Sequence, residues 1–183
     1  MSDTADRYRR VAGEFTETAR RVPDDAWDNP APCEGWVARD VVGHMVEWMP
    51  GFLADAPIEL SAGPAVDDDP LGAWIALSDS LQAALDDPEV AAREFTHGHA
   101  GTHTIENAIG TFFLGDILVH TWDLARAAGF EVTLDPIEVH TLLTGMEGMD
   151  EILRSSGHYG PKVEVPSDAD EQTRLIAFTG RQP

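Results

Sequence analysis

A histidine on the apolar stripe of one helix, and a carboxylate and a histidine four residues apart on another, are the side chains best placed for chemistry. His44 falls in step with Val37, Val41, Trp48 and Phe52, at intervals of three and four. A helix starting near Val37 therefore turns it toward the interior. Farther along, Ile105, Ile109 and Phe112 lead into Asp116, His120, Asp123 and Ala127 at the same intervals. Three ionisable groups thus follow the core-facing line of the most hydrophobic helix. Unpaired charge buried there is costly. Two arrangements relieve it. One is a metal ion; the other is a hydrogen-bonded network, with Asp116 and His120 an ordinary i,i+4 pair and His44 capped by a carbonyl.

The spacing suits a metal. Residues four apart on a helix stand about 6 Å apart along its axis and on the same side, so Asp116 and His120 can converge on one ion. His44 from a facing helix supplies a third ligand. Two imidazoles and one carboxylate leave a coordination position open, as in catalytic rather than structural zinc sites. Fe2+, Ni2+ and Mn2+ accept the same donors, so the spacing leaves the divalent metal open. Asp123, one turn beyond His120, is placed to accept from an imidazole and orient it, the one further catalytic role the spacing suggests.

Other polar residues are open to two readings. His97, His99 and His103 surround Gly98 and Gly101, as a second metal set or, more plainly, as a polar glycine loop. His140 and His158 are expected at the surface or in packing. Cys33 follows Pro32 just before a helix start, where a thiolate can be stabilised, but no base accompanies it in the sequence. Trp36, Trp48, Trp74 and Trp122 line a pocket or fill the core, and Arg39 and Asp123 suggest an ion pair across helices. Neither a glycine-rich phosphate loop nor a nucleophile elbow occurs.

These residues need helices to carry them, and proline and glycine divide the chain accordingly. A first helix is expected from about Asp3 to Val22, before Pro23. The second begins near Val37 and is kinked or ended by Pro50. Residues 55–69 are loop. The third starts at Pro70 behind Asp69 and ends before Pro88. Thr96 to Gly101 is loop. Thr104, with Asn107 three positions on, opens the longest helix, which Gly129 stops. A fifth helix spans about Asp135 to Leu153. Gly157 to Pro166 is extended, and Asp168 to Phe178 forms a short amphipathic helix. Lys162 to Val165 is the one weak strand candidate. The expected fold class is all-α, as one helical bundle over residues 1–155 with a tail, 156–183, packed on it.

Composition narrows the function. The chain has 183 residues, 43% of them hydrophobic, enough for one domain with a core. Twelve Lys plus Arg against 33 Asp plus Glu give a formal charge of −21, which argues against nucleic-acid or membrane partners. The opening MSDTADRYRR has no apolar core of a signal peptide. One cysteine allows no internal disulfide, and cytoplasm is the expected compartment.

Two segments also resemble a known family. Pro32 to His44 (PCEGWVARDVVGH) and Gly115 to Ala127 (GDILVHTWDLARA) resemble the signatures of the mycothiol-dependent maleylpyruvate isomerase metal-binding domain, within the DinB-like superfamily of four-helix bundles. Leu175 to Pro183, ending Gly180-Arg181-Gln182-Pro183, resembles the ending of a short single-domain branch. The resemblance spans nearly the whole chain. It implies a DinB-like four-helix bundle with an extra short C-terminal helix. It also implies a metal, commonly zinc, on His44, Asp116 and His120. Mycothiol or a similar thiol would be the cosubstrate of transferase or isomerase chemistry on a small-molecule substrate. Two departures accompany it: the maleylpyruvate isomerase has glutamate in place of Asp116, and it carries a further C-terminal domain for which 183 residues leave no room. A thiol-independent hydrolase, lyase or cyclase is the second functional class, and a noncatalytic metal- or ligand-binding bundle, as a homodimer in one version, is the third.

Overall fold

The computed structural model describes residues 2–155 and 160–183. Helix α1, Asp3–Arg20, starts where the Ser2 side chain accepts from the Ala5 amide, with Asp3 and Asp6 in its first turn. It stops two residues short of the expected Val22. Its stripe of Tyr8, Val11 and Phe15 is buried. Helix α2, Ala38–Phe52, begins where Asp40 accepts from the Val37 amide at 2.8 Å. Pro50 lies in its last turn without ending it. Helix α3, Pro70–Asp86, has Asp69 accepting from the Gly72 amide and Pro70 at its first position. A single turn, α4, Pro88–Ala91, follows.

The next segment corrects the all-α expectation. Glu94–His97 (β1) and Gly101–Thr104 (β2) pair antiparallel, with Phe95 opposite His103. The histidine-glycine stretch expected as loop is a hairpin. Lys162 to Val165 forms no strand; the Val163 amide instead donates to the Ala177 carbonyl. The molecule is mostly helical with one small sheet.

The longest helical run opens where Thr104 accepts from the Asn107 amide. It comprises α5, Ile105–Ala108, a π-helical turn, Ile109–Phe113, and α6, Leu114–Ala127. A π turn holds one residue more than an α turn, so the fully buried ring is Phe113, whereas Phe112 is half-buried. Gly129, at φ +81°, closes α6 in a Schellman motif: its amide donates to the Arg126 carbonyl and that of Phe130 to Ala125.

The expected fifth helix is two, α7, Pro136–Glu147, and α8, Asp150–Ser155, interrupted at Gly148 and Met149. Helix α9, Glu171–Phe178, buries Leu175, Ile176 and Phe178. Residues 160–166 form neither helix nor strand; the rest of the stretch expected as extended, with His158, lies outside the described residues.

Helix α1 packs on α6 and α3, α2 packs on α3 and α6, and α9 packs on α7. Trp74, Phe15, Met45, Met49 and Ile117 lie in the shared core. Helices α1 and α7 are also joined by charge. Arg7 makes a two-pronged contact with the buried Glu138, at 2.9 and 2.7 Å, and Arg10 adds a bond to Glu138 at 3.3 Å. Among the described residues no helix is long and apolar enough to cross a membrane.

Candidate metal centre

Helices α2 and α6 bring their ionisable residues to one point. The His44 Nε2 lies 3.2 Å from Asp116 Oδ2, and His120 Nε2 lies 3.5 Å from Asp116 Oδ1. One donor atom from each of His44, Asp116 and His120 lies within 4.8 Å of the other two. The i,i+4 spacing on α6 sets Asp116 and His120 on one face, and the packing of α2 on α6 brings His44 to it. His120 is buried, while His44 and Asp116 are half-buried.

What holds Asp116 is not evident from spacing. Trp48, one turn after His44 on α2, donates from its indole Nε1 to Asp116 Oδ2 at 2.9 Å. Aromatic rings line the cluster. Trp36 lies 5.2 Å from His44 and stacks on His120 at 5.8 Å, and Trp48 stacks on His44 at 6.0 Å.

The electrostatics follow from burial and pairing. Burial alone would raise the Asp116 pKa, but the contacts and charge of His120, then of His44, outweigh it and hold the carboxyl well below its usual range. Burial likewise disfavours charge on His120. The contact and charge of Asp116 overcome it, helped by Asp123 and Cys33, and hold the imidazole well above its ordinary 6.5.

Behind His120 lies a second cluster. Asp123 Oδ2 is 2.9 Å from His120 Nδ1, a close approach that is not aligned as a hydrogen bond. Asp123 is fully buried, and Arg181 straddles its carboxylate: Nε lies 2.7 Å from Oδ1 and Nη2 2.7 Å from Oδ2. Burial would raise the Asp123 pKa, yet His120 and Arg181 together keep it below the ordinary value. Cys33 is drawn in as well, its Sγ 3.5 Å from Asp123 Oδ2 and 3.3 Å from Arg181 Nη2. Among the described residues, Cys33, His120 and Asp123 form the other group close enough for a metal, but the Arg181 guanidinium already supplies a cation there.

Two expectations are corrected at this point. Arg39 does not pair with Asp123; it donates to the carbonyls of Val66 and Asp67 and to Asp28. Cys33 does have ionisable neighbours, but they come from chain positions 87 or more residues away. The three loop histidines do not converge on the centre. His97 stacks on Phe52, and His103 contacts the Asn107 side chain and the Ala100 carbonyl. His140 sits at the surface, 2.9 Å from Glu171. Trp74 belongs to the core and donates to Thr16.

The family model described as mycothiol maleylpyruvate isomerase N-terminal domain matches residues 8–125. The chain belongs to this family. Two uncharacterized proteins of Mycobacterium tuberculosis, from strains CDC 1551 and H37Rv, are each 27% identical to it over 187 residues, covering 95% of this chain and 95% of their own. No solved structure matches the chain. The match to the mycothiol maleylpyruvate isomerase N-terminal domain takes in His44, Asp116, His120, Asp123, Cys33 and Trp48, but Arg181 lies beyond it. The signal that could have revealed Arg181 is local: a glycine just after a short amphipathic helix marks a turn of fixed shape, and the residue after it is aimed by that turn.

Proposed function

We propose that the protein is a metal-dependent enzyme that acts on a small molecule and uses a thiol of the mycothiol type in transferase or isomerase chemistry. The observation that carries the metal is the convergence of His44, Asp116 and His120, from helices 72 residues apart, with donors within 4.8 Å of one another. Zinc bonds of about 2.0–2.2 Å at tetrahedral angles set neighbouring donors roughly 3.3–3.6 Å apart. The separations of 3.2 and 3.5 Å here are close to that. The donor set, two imidazoles and one carboxylate, is that of catalytic zinc, so zinc is the ion we assign. Packing of α1, α2, α3 and α6 supports the DinB-like four-helix bundle as its scaffold. Family membership supports the thiol.

When bound, the ion supplies Lewis acidity, which lowers the pKa of a thiol or water or polarises a carbonyl. The chain's own residues do the rest. His44 and His120 present Nε2 toward Asp116 from opposite helices, Trp48 holds the carboxylate, and Asp123 faces the Nδ1 side of His120. Trp36 and Trp48 cover the imidazoles and limit water. The single cysteine supports a cytoplasmic setting.

Elemental analysis of protein purified without a metal-affinity tag tests the reading. Stoichiometric zinc in the parent and its loss in His44→Ala are expected. No metal in the parent, even after reconstitution, overturns it. Turnover that is indifferent to added thiol would remove the thiol and leave a hydrolase, lyase or cyclase.

A further inference from the structure

We infer that Arg181 is a positioning residue for the metal centre, acting on His120 through Asp123; this rests on the metal reading above. The argument starts from the burial of Asp123. A carboxylate without solvent persists only if its oxygens are matched by donors. Arg181 matches both, with Nε at 2.7 Å from Oδ1 and 3.0 Å from Oδ2, and Nη2 at 2.7 Å from Oδ2. Such a planar fork fixes the carboxylate in its plane as well as in position. The fixed Oδ2 lies 2.9 Å from His120 Nδ1. Though that approach is not aligned as a hydrogen bond, a carboxylate fixed this close limits by contact and charge how the buried imidazole can turn, and so where Nε2 points relative to Asp116 and His44.

Arg181 is itself held rigidly. Helix α9 ends in a Schellman motif, in which the Gly180 amide donates to the Ala177 carbonyl and the Arg181 amide to Ile176, at 3.0 and 3.2 Å. Gly180 has φ +90°, and a Cβ there would lie 3.1 Å from the Pro161 carbonyl oxygen. The turn thus needs glycine, and it aims the next side chain across 58 residues of sequence at Asp123. A surface arginine meeting a buried acid by chance would need no such turn. The same guanidinium sits 3.3 Å from Cys33 Sγ, so the Pro32-Cys33 turn before α2 closes the cluster on its other side.

The test is Zn2+ affinity of the full chain by chelator competition, with the visible spectrum of the Co2+-loaded protein as a second readout. Arg181→Ala and Asp123→Asn should each weaken Zn2+ binding about 10- to 100-fold and alter the Co2+ bands. The double variant should be no weaker than Asp123→Asn alone, because Arg181 acts through that carboxylate. Arg181→Lys, which keeps the charge but loses the fork, should recover only part of the affinity. Unchanged affinity and Co2+ spectrum in Arg181→Ala overturn the inference, even if its melting temperature falls; so do fully additive effects. If Arg181→Ala does not fold, Arg181→Lys decides on the same readouts, and parent-like binding overturns the inference. A parent that binds no zinc overturns the metal reading and this inference together, whereas a zinc-binding parent with unaffected Arg181 variants overturns this inference alone.

Discussion

Trp48 donates its indole N–H to Asp116 Oδ2 at 2.9 Å, the same oxygen that lies 3.2 Å from His44 Nε2. Helix α2 therefore supplies both an imidazole and the donor that steadies the carboxylate. Trp48→Phe keeps a ring against Phe113 and Phe52 but removes this bond. It should weaken Zn2+ binding by roughly tenfold and lower stability by about 1 kcal/mol. Chelator competition and thermal melts measure the two effects separately.

The two histidines should respond differently to removal. His44 has a partly exposed side chain, and its loss leaves Asp116 with His120 and Trp48 as partners. His44→Ala should abolish stoichiometric metal while changing the stability of the metal-free protein by about 1 kcal/mol or less. His120 is buried between Asp116 and Asp123. His120→Ala should abolish metal and destabilise the metal-free chain by about 3 kcal/mol, as expected when one partner of a buried charge cluster is removed. Equal stability in the two variants would contradict the burial of His120.

Acidity acts on the metal-free protein and on metal binding in different ways. The pKa of His120 is raised in the fold, so its stabilising contribution is complete below its unfolded value near 6.5 and fades as pH climbs through the raised value. The pKa of Asp116 is lowered, so its contribution is complete above its unfolded value near 3.8 and fades as pH drops through the lowered value. The metal-free melting temperature should therefore fall as pH rises above 6.5, and again as it drops below 4. Zinc needs a deprotonated His120, so its affinity should keep rising with pH above 6.5. Titration calorimetry in buffers of different ionisation enthalpy should register the released proton.

A third ion-paired cluster provides a control. Arg7 contacts Glu138 with both arms of its guanidinium, and Arg10 is a further partner of this buried carboxylate at 3.3 Å. Arg7→Met should destabilise the protein by about 2 kcal/mol yet leave Zn2+ affinity unchanged, since α7 supplies nothing to the centre. Denaturant unfolding and metal competition on the same variant separate the two outcomes.

Much of the scaffold was visible from local chemistry. Asp69 before Pro70, Thr104 three residues before Asn107, and Asp135 before Pro136 marked helix starts that side chains do cap. The i,i+4 pair of Asp116 and His120 was legible because a single helix fixes it. The hairpin was not, because each strand is only four residues long and buries little beyond Phe95, so no alternation stands out. Periodicity also passes over the π turn, since one extra residue merely shifts burial from Phe112 to Phe113. Trp48 was placed on the correct stripe, but its bond to Asp116 depends on how two helices meet. Arg181 and Cys33 join the same cluster from positions 148 apart; the glycine before Arg181 marks a turn, but no local pattern says which residues that turn brings it to. For the same reason the expected Arg39–Asp123 pair was misassigned: complementary charge was correct for Asp123, but the arginine was not.

The rings of Trp36 and Trp48, at 5.2 and 6.0 Å from His44, make the protein its own optical gauge. An excited indole loses its emission to a nearby imidazolium or to a paramagnetic ion within contact range. Loading with Co2+ or Ni2+ should therefore dim the fluorescence of the folded chain, whereas diamagnetic Zn2+, by displacing a proton from His120, on which Trp36 stacks at 5.8 Å, should brighten it. Occupancy can then be followed in solution without any attached dye.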